Sequence, residues 1–347
     1  MKRCLDLAFN GSGRTSPNPM VGAVIVHNGK IIGEGYHKQA GGPHAEVNAV
    51  NSVKDKSFLK ESTLYVNLEP CSHFGKTPPC SQMILDRKIP RVVTGASDTS
   101  IKVNGTGIQE LKEGNCEVIT GILEKECRYL NRRFFTFHEK KRPYIILKWA
   151  KTKDGFIDSD RKTGEPPVWI TNHLARILVH KWRAEESAIM AGTNTLIMDN
   201  PLLTVREWEG RQPVRVVIDK SSRLPSDLNV FDGTVPTLVF TSKIITAGKN
   251  LEYIKTENEQ DVLNFVLSGL YNRELISLFV EGGNELLTSF ITANLWDEAR
   301  VFTGNRLFHK GVKAPQLPGN PVSTEMIDDS ILEQYINNTT VSPGIKL

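Results

Sequence analysis

Short apolar runs alternate with amphipathic segments through the first part of the chain. The apolar runs predict strands at residues 21–26, 31–36, 63–68, 91–94 and 117–119. Apolar residues at helical spacing predict helices at residues 2–10, 44–53, 81–87 and 107–112. Asn28-Gly29, between the first two strands, is the signal of a tight hairpin. One hairpin followed by alternating strands and helices indicates a mixed sheet covered by helices.

A charged run before a proline predicts a boundary between two domains. A helical stretch at 123–137 leads into charged residues 138–142, and a fresh strand at 144–149 follows Pro143. A solvated helix end within one domain is the alternative interpretation. We expect domains at residues 1–142 and 143–347, because 347 residues exceed one ordinary core.

The second half of the chain repeats the alternation of strands and helices. Strands are predicted at 188–190, 214–218, 237–240 and 275–280, and helices at 172–183 and 285–293. These elements predict a second α/β domain. The tail, residues 327–347, is polar, and we expect it to be poorly ordered.

The composition excludes several classes of protein. No apolar run reaches the roughly 18 residues of a membrane span, and the N-terminus lacks the apolar core of a signal peptide, so we expect a cytoplasmic protein. A net charge of +4, without a basic block interleaved with aromatic residues, does not predict nucleic-acid binding. Five cysteines at irregular spacing argue against a disulfide framework.

His44, Cys71 and Cys80 are candidate ligands of a catalytic zinc ion. Such a metal typically takes three protein ligands and leaves the fourth position for water. In zinc deaminases a glutamate two residues after the histidine moves protons and does not bind the metal. Glu46 has that spacing. The alternatives are a structural zinc site, for which His73 is the nearby fourth ligand, and free thiols without metal.

The spacing of the two cysteines departs from the short deaminase signature. Eight residues separate Cys71 from Cys80, whereas the signature has two. Pro79 predicts that Cys80 begins a helix, where the helix dipole favours a thiolate. Cys71 follows a predicted strand, so we expect both thiols at the mouth of the sheet, near the start of the His44 helix.

Longer motifs in both halves resemble the bifunctional riboflavin-biosynthesis deaminase–reductase family. They occupy residues 15–26, 33–37, 42–49, 68–80, 147–155, 169–171, 191–195, 199–206 and 280–283. The long spacer between the cysteines is typical of that family. The resemblance implies an N-terminal cytidine-deaminase-like α/β/α domain with a mixed sheet, and a C-terminal dihydrofolate-reductase-like α/β domain.

The resemblance also implies two consecutive reactions. The first domain would deaminate 2,5-diamino-6-(5-phosphoribosylamino)pyrimidin-4-one by zinc-dependent hydrolysis, with Glu46 as the proton carrier. The second would use NADPH to reduce the ribosyl chain to ribityl, giving 5-amino-6-(5-phosphoribitylamino)uracil. The implied partners are about one Zn²⁺ per chain, NADPH and a small phosphorylated pyrimidine, with neither nucleic acid nor membrane. A homo-oligomer is the family expectation.

Positions that match the family's motifs are expected to contact its ligands. The expected NADPH contacts are Ala150, Trp169, Thr195, Asp199, Lys220, Gly283 and Asn284. The expected substrate contacts are Asn18, Pro167, Arg183, Leu203, Arg206 and Glu281. Arg183 and Arg206 suit the ribose phosphate, since guanidinium binds phosphate bidentately. Lys148 is a candidate for polarising the sugar oxygen, or else an ordinary strand-end lysine. Asn18, between two prolines, is otherwise a turn former.

Two positions depart from the family pattern. Pro167 stands where a serine usually contacts the substrate, and it offers only a carbonyl. Lys220 stands where a small polar residue often contacts the cofactor, and a lysine there could reach the 2′-phosphate of NADPH.

The glycine patterns favour a phosphate cradle over a Rossmann site. No G-x-G-x-x-G follows a strand, so a Rossmann dinucleotide site is not indicated. Gly282-Gly283, between a predicted strand and a helix, is a better candidate because glycines expose backbone N–H groups at a helix start. A plain turn between strand and helix is the alternative.

Two alternative functions for the chain would each require features that distinguish them from the deaminase–reductase. A nucleic-acid base deaminase with a non-catalytic second domain would need a basic groove and stacking aromatic residues near the zinc loop, and the sequence shows neither clearly. A binding module with a structural zinc ion would show no turnover and no open coordination position.

Overall fold

The chain forms two compact units in the computed structural model. Residues 1–74, 78–100, 103, 105–162, 164–243, 248–256 and 261–337 are described. The first unit is Met1–Lys141, and the second begins at Arg142. Within the described residues, no helix is both long and apolar enough to cross a membrane.

The first unit is built on one mixed sheet. Its strands are β1 (Gly22–His27), β2 (Lys30–Tyr36), β3 (Thr63–Leu68), β4 (Arg91–Ala96) and β5 (Glu117–Ile119). They lie in the order β2-β1-β3-β4-β5. β1 pairs antiparallel with β2 and β3, whereas β3, β4 and β5 are parallel. The predicted hairpin is present: Asn28 and Gly29, at φ 47° and 74°, join His27 to its partner Lys30.

Helices cover both faces of this sheet. They are α1 (Lys2–Phe9), α2 (Ala45–Ser52), α3 (Cys80–Asp86), α4 (Thr106–Glu113), α5 (Glu124–Leu130) and α6 (Arg132–Lys140), with a 3₁₀ helix at Lys56–Glu61. Ala23 and Ile25 of β1 pack in one core with residues of α2, α3 and α4. Val24, which points to the other face, packs against α1. The alternation along β1 therefore produces the three-layer α/β/α arrangement that the sequence predicts.

The prediction of a single helix at 123–137 is wrong, because the helix is interrupted at Asn131. This residue ends α5 and begins α6, and it is 2% exposed. Its side-chain oxygen accepts from the Met20 backbone N–H at 2.8 Å, and its amide donates to the Met20 carbonyl at 2.9 Å. Two hydrogen bonds to a remote segment thus decide the break, and local helical spacing does not reveal them.

The second unit is built on a nine-stranded sheet. Its strands are β6 (Tyr144–Lys151), β8 (Ala188–Met190), β9 (Val214–Asp219), β10 (Thr237–Thr241), β11 (Leu251–Lys255), β12 (Ser277–Glu281), β13 (Glu298–Thr303), β15 (Ser323–Ile327) and β16 (Ser330–Ile336). A separate two-stranded sheet pairs β7 (Phe156–Ser159) with β14 (Gly311–Lys313). The large sheet has the order β11-β10-β9-β8-β12-β6-β13-β16-β15. It is parallel from β11 to β13, and its last two pairings are antiparallel.

Two apolar cores sandwich this sheet. The helices are α7 (His173–Glu185), α8 (Thr193–Asp199), α9 (Val262–Tyr271) and α10 (Asn284–Thr292), and Asn229–Phe231 forms a 3₁₀ turn. Ile145 and Leu147 of β6 belong to one core, whereas Tyr144 and Ile146 belong to the other. Burial on both faces explains why these strands read as continuous apolar runs. The mixed α/β fold predicted for both parts of the chain is confirmed.

The expectation of a poorly ordered tail is wrong for residues 327–337. Ser330–Ile336 forms β16, which pairs antiparallel with β13, and Leu332 is 2% exposed. The polar residues of β16 hide the strand in the sequence, because a strand near the edge of a sheet can carry polar side chains on its solvent face. Residues 338–347 lie outside the described part of the chain.

A buried ion pair ties the start of the second unit to its core. The Arg142 guanidinium donates to both Asp297 carboxylate oxygens, at 2.5 and 2.9 Å. The same carboxylate accepts from the Ile145 backbone N–H at 2.9 Å, and the Asp297 side chain is fully buried. Removal of this carboxylate would leave a largely buried guanidinium without its counterion, a costly situation.

We therefore expect Asp297→Ala to lower the free energy of unfolding of the second unit by about 3–5 kcal/mol. Urea unfolding followed by tryptophan fluorescence measures this, because all five tryptophans lie between Trp149 and Trp296. The control is Asp160→Ala, which removes an exposed ion pair with Lys310 and should cost at most about 1 kcal/mol. Equal unfolding midpoints for the two variants would contradict the prediction.

Candidate functional site

Three separate segments bring His44, Cys71 and Cys80 together. His44 precedes the first residue of α2, Cys71 follows the end of β3 by three residues, and Cys80 is the first residue of α3. The His44 Nδ1 atom lies 3.4 Å from the Cys71 sulfur and 3.3 Å from the Cys80 sulfur. The Cys80 backbone N–H points at the Cys71 sulfur at 3.4 Å. The arrangement at the mouth of the sheet is the one predicted.

This donor set fits a zinc ion. The three ligand atoms lie within 4.8 Å of one another. Tetrahedral zinc with ordinary bond lengths separates a nitrogen and a sulfur ligand by about 3.5 Å. Among the described residues, this is the group of histidine, cysteine and acidic side chains that could hold a metal ion. Because three protein atoms leave one tetrahedral position open, the group suits catalysis better than a closed structural site.

The electrostatics of the two thiols also favour a cation. Hydrogen bonds from Cys80 and His44 lower the pKa of Cys71 to about 4. The same contact with Cys71, together with burial, raises the pKa of Cys80. Without a cation, the state with one thiolate is therefore favoured, because two thiolate charges at this distance repel each other. A divalent cation between the sulfurs would stabilise both as thiolates.

Glu46 lies beside the donor group and outside it. The residue is 3% exposed in the first turn of α2, and its carboxyl is hydrogen-bonded to the Cys80 side chain. Burial raises the pKa of Glu46 to about 7. A carboxyl group with that pKa exchanges protons readily near neutral pH, as a general acid and base must.

Glu69 is a buried carboxylate that no sequence pattern marks as functional. It is 3% exposed and lies two residues before Cys71. Its oxygens accept from the backbone N–H groups of Asp98, Gly105 and Ile108 at 3.0, 3.2 and 3.1 Å. Glu69 therefore holds the segment after β4 and the start of α4 against the strand end that carries Cys71. A charged residue directly after an apolar strand was the available signal.

His37 orients Asn18, a contact that the sequence pattern does not reveal. The His37 Nδ1 atom lies 3.1 Å from the Pro43 carbonyl, which only accepts hydrogen bonds, so Nδ1 carries the proton. Burial lowers the pKa of His37 and keeps the ring neutral. Its Nε2 atom then accepts from the Asn18 side-chain amide at 3.2 Å. The Asn18 amide oxygen is left to accept a hydrogen bond from a ligand.

A second set of polar groups meets where β12 ends beside the parallel strand β6, which continues to Lys151. Lys148 and Glu281 are cross-strand partners there. Arg183 of α7 donates to both Glu281 oxygens at 2.5 and 2.8 Å and to the Thr204 carbonyl at 2.9 Å. Although burial opposes the charged form, Arg183 lowers the pKa of Glu281 to about 2. Burial lowers the pKa of Lys148.

Two consecutive glycines open the start of α10 at the same edge. Gly282 and Gly283 have φ of 80° and 75°, a region that favours glycine. A Cβ atom on Gly283 would lie 3.0 Å from the Thr195 hydroxyl and 3.5 Å from Gly192. The starts of α8 and α10 therefore lie side by side. The predicted cofactor residues Thr195, Gly283 and Asn284 meet here, and exposed backbone N–H groups at helix starts suit phosphate.

The other predicted contacts have different surroundings. Asp199 forms an ion pair with the buried Arg161 side chain, which also pairs with Asp158. Trp169 is 57% exposed, and the Arg176 guanidinium lies over its ring. The remaining positions span the range of burial: Ala150 is half-buried, Leu203 is buried, and Pro167, Arg206 and Lys220 are exposed.

Comparison with known proteins assigns both units. The family model for the cytidine and deoxycytidylate deaminase zinc-binding region matches residues 1–96, and the model for the RibD C-terminal domain matches residues 143–333. The riboflavin biosynthesis protein RibD of Aquifex aeolicus is 40% identical over 325 residues, 91% of this chain and 89% of the relative. That of Actinobacillus pleuropneumoniae is 37% identical over 362 residues, 97% of this chain and 94% of the relative.

A solved structure agrees with these relatives. The crystal structure of a diaminohydroxyphosphoribosylaminopyrimidine deaminase/5-amino-6-(5-phosphoribosylamino)uracil reductase from Thermotoga maritima matches at a TM-score of 0.86 and 37% identity, with 96% of each chain covered. The resemblance that the sequence motifs indicate is thus confirmed, together with the two activities and the two cofactors. The chain belongs to the RibD family of riboflavin biosynthesis proteins, bifunctional enzymes that join a zinc-dependent deaminase to an NADPH-dependent reductase.

Proposed function

We propose that residues 1–142 deaminate the pyrimidine substrate named for the Thermotoga maritima relative, and that the remainder of the chain reduces the uracil product. The observation that carries this assignment is the His44, Cys71 and Cys80 group with the buried Glu46 beside it. The substrates are then 2,5-diamino-6-(5-phosphoribosylamino)pyrimidin-4-one and its deaminated product. Deamination comes first because the reductase acts on the uracil.

In the deaminase, His44, Cys71 and Cys80 would hold zinc. When bound, zinc acts as a Lewis acid that makes a water molecule a better nucleophile near neutral pH. Glu46, next to the donor group, takes up the proton of that water and passes a proton to the departing ammonia. Asn18, oriented by His37, accepts a hydrogen bond from the substrate through its amide oxygen.

In the reductase, NADPH supplies the hydride, and the chain supplies binding and charge. Thr195, Gly283 and the start of α10 bind cofactor phosphate through hydroxyl and backbone N–H groups. Lys148 donates to the sugar oxygen, and its strand partner Glu281 offsets part of the burial that lowers the Lys148 pKa.

The two arginines divide their roles in this proposal. Arg183 makes hydrogen bonds to Glu281 and to the Thr204 carbonyl, so most of its N–H groups are committed. Arg206 is exposed, and within the described part of the chain its guanidinium makes one hydrogen bond, to the Thr204 hydroxyl at 3.0 Å. Arg206 is therefore the ligand of the ribose phosphate.

Two general expectations accompany the assignment. A cytoplasmic location fits five cysteines that form no disulfide, because the cytoplasm keeps thiols reduced. The homo-oligomer that the family resemblance implies stays a prediction.

Glu46→Gln should retain about one zinc ion per chain and lose at least about 100-fold in deamination rate, because the proton carrier is removed and the ligands are intact. Metal analysis and ammonia release measure the two effects. Cys71→Ser is the complementary variant, which should lose zinc and deamination together. Loss of zinc from Glu46→Gln, or unchanged deamination in that variant, would contradict the assignment.

A coupled assay tests the order of the two reactions. The wild-type protein with the diaminopyrimidine substrate and NADPH should release about one ammonia for each NADPH oxidised. Glu46→Gln should oxidise NADPH when given the deaminated substrate and not when given the diaminopyrimidine. Ammonia release without NADPH oxidation would support the deaminase assignment and contradict the reductase assignment.

Lys220→Ala should raise the KM for NADPH by about tenfold and leave the KM for NADH unchanged, since a lysine at the end of β9 could meet the 2′-phosphate. Steady-state kinetics with both cofactors measure the difference. Lys243→Ala, an exposed lysine after the neighbouring strand β10, is the matched control and should change neither constant. An equal rise for both cofactors in Lys220→Ala would contradict the role.

A further inference from the structure

One face of α7 carries a row of polar side chains toward residues 204–207. Arg176, His180 and Arg183 are spaced by four and three residues, so they lie on one side of the helix. Arg176 forms an ion pair with Glu207 at 2.9 Å. His180 and Arg183 each make a hydrogen bond to the backbone of this segment, at Arg206 and Thr204. The helix therefore contacts the segment at three successive points.

Side chains satisfy the backbone of this segment. The Thr204 carbonyl accepts from Arg183 at 2.9 Å, and the Arg206 N–H donates to the His180 Nδ1 atom at 3.1 Å. Between them, the Gln212 side chain accepts from the Val205 N–H at 2.7 Å and donates to its carbonyl at 2.9 Å. Side-chain contacts, and not a strand ladder or a helix, thus set the conformation of residues 204–206.

The segment also begins with an unfavourable backbone conformation. Leu203 has φ of 50°, a left-handed conformation that costs free energy for a residue other than glycine, and its side chain is 2% exposed. Such a conformation persists only when surrounding contacts hold it. Leu203 and Arg206 are both expected substrate contacts, so the held segment spans the expected substrate site.

His180 is suited to hold the Arg206 backbone. It is 2% exposed, and the charged groups around it are Arg183 on its own helix, Arg206 and Glu207 on the facing segment, and Glu281 on β12. Burial and the two arginines lower the pKa of His180 to about 4. The ring is therefore neutral near pH 7, and its Nδ1 lone pair accepts from the Arg206 N–H.

We propose that His180 is a positioning residue of the reductase, which fixes the backbone of Arg206 so that its guanidinium meets the phosphate of the substrate. The inference rests on the proposed function, in which Arg206 binds that phosphate. His180 does not contact substrate or cofactor in this role. It acts through Arg206, so its effect must be confined to substrates that carry the phosphate.

The test compares the phosphorylated reductase substrate with its dephosphorylated counterpart. His180→Phe removes the acceptor and keeps a ring, so the KM for the phosphorylated substrate should rise about tenfold, the effect of one lost hydrogen bond to a part-buried N–H group. The kcat, the KM for NADPH and the KM for the dephosphorylated substrate should stay within about twofold. His180→Asn, whose oxygen occupies the place of Nδ1, should restore the wild-type KM.

Two further variants serve as controls. One tests whether His180→Phe acts only by disturbing folding, and the other tests whether any change on this helix surface has the same effect. His180→Gln keeps a polar group but moves the acceptor away from the Nδ1 position, so it should reproduce the tenfold loss. His173→Phe is the matched control, because His173 is an exposed imidazole on the same helix, 63% accessible, near Glu207. It should leave all constants unchanged.

Arg206→Ala separates the two hypotheses. If this variant loses the preference for phosphorylated substrate and the His180 variants keep it, the inference about His180 is overturned and the proposed function stands. If Arg206→Ala keeps the preference, the phosphate role of Arg206 itself is overturned. Equal rises of both substrate KM values in His180→Phe and His180→Gln would indicate a merely structural residue and would also overturn the inference.

Discussion

Parallel strands end at the same edge of a sheet, and both sites depend on this constraint. In the first unit, β3 delivers Glu69 and Cys71 to that edge, where helices α2 and α3 begin. In the second, β12 ends at Glu281 beside the starts of α8 and α10, and the neighbouring strand β6 places Lys148 next to Glu281. Helix starts expose N–H groups and partial positive charge, so each edge attracts thiolate, carboxylate or phosphate. The zinc-ligand group and the proposed reductase site thus occupy equivalent places in two different sheets.

Three glutamates, two of them buried and one half-buried, show how surroundings decide what a carboxyl group does. Glu281 faces a guanidinium that donates two hydrogen bonds, and it stays ionised. Glu69 accepts three backbone N–H bonds and serves as a structural anchor. Glu46 lies against a thiol, and burial raises its pKa to about 7. The carboxyl group with the fewest strong donors is the one suited to carry protons.

Local patterns predicted much of the fold and of the zinc group. The hairpin at Asn28-Gly29 followed from turn chemistry, which acts within a few residues. The meeting of His44, Cys71 and Cys80 followed from a deaminase motif, because metal ligands must converge even when separate segments carry them. Asn131 and β16 were missed because their partners, Met20 and β13, are remote in sequence. β13 itself was concealed by Glu298 and Arg300, which are buried as an ion pair and interrupt the apolar pattern. His180 carries no motif, and its role follows from the contact with Arg206 alone.

The two halves of the reductase site differ in how readily single substitutions could reshape them. The proposed cofactor cradle depends on Gly282 and Gly283, whose backbone conformations almost any other residue would strain. Residues 204–206 take their shape from the side chains of His180, Arg183 and Gln212, which one codon change can replace. Divergence within such a scaffold would therefore conserve the glycine turn before α10 and vary the shape of residues 204–206. The first is a property of the main chain, and the second depends on exchangeable side chains.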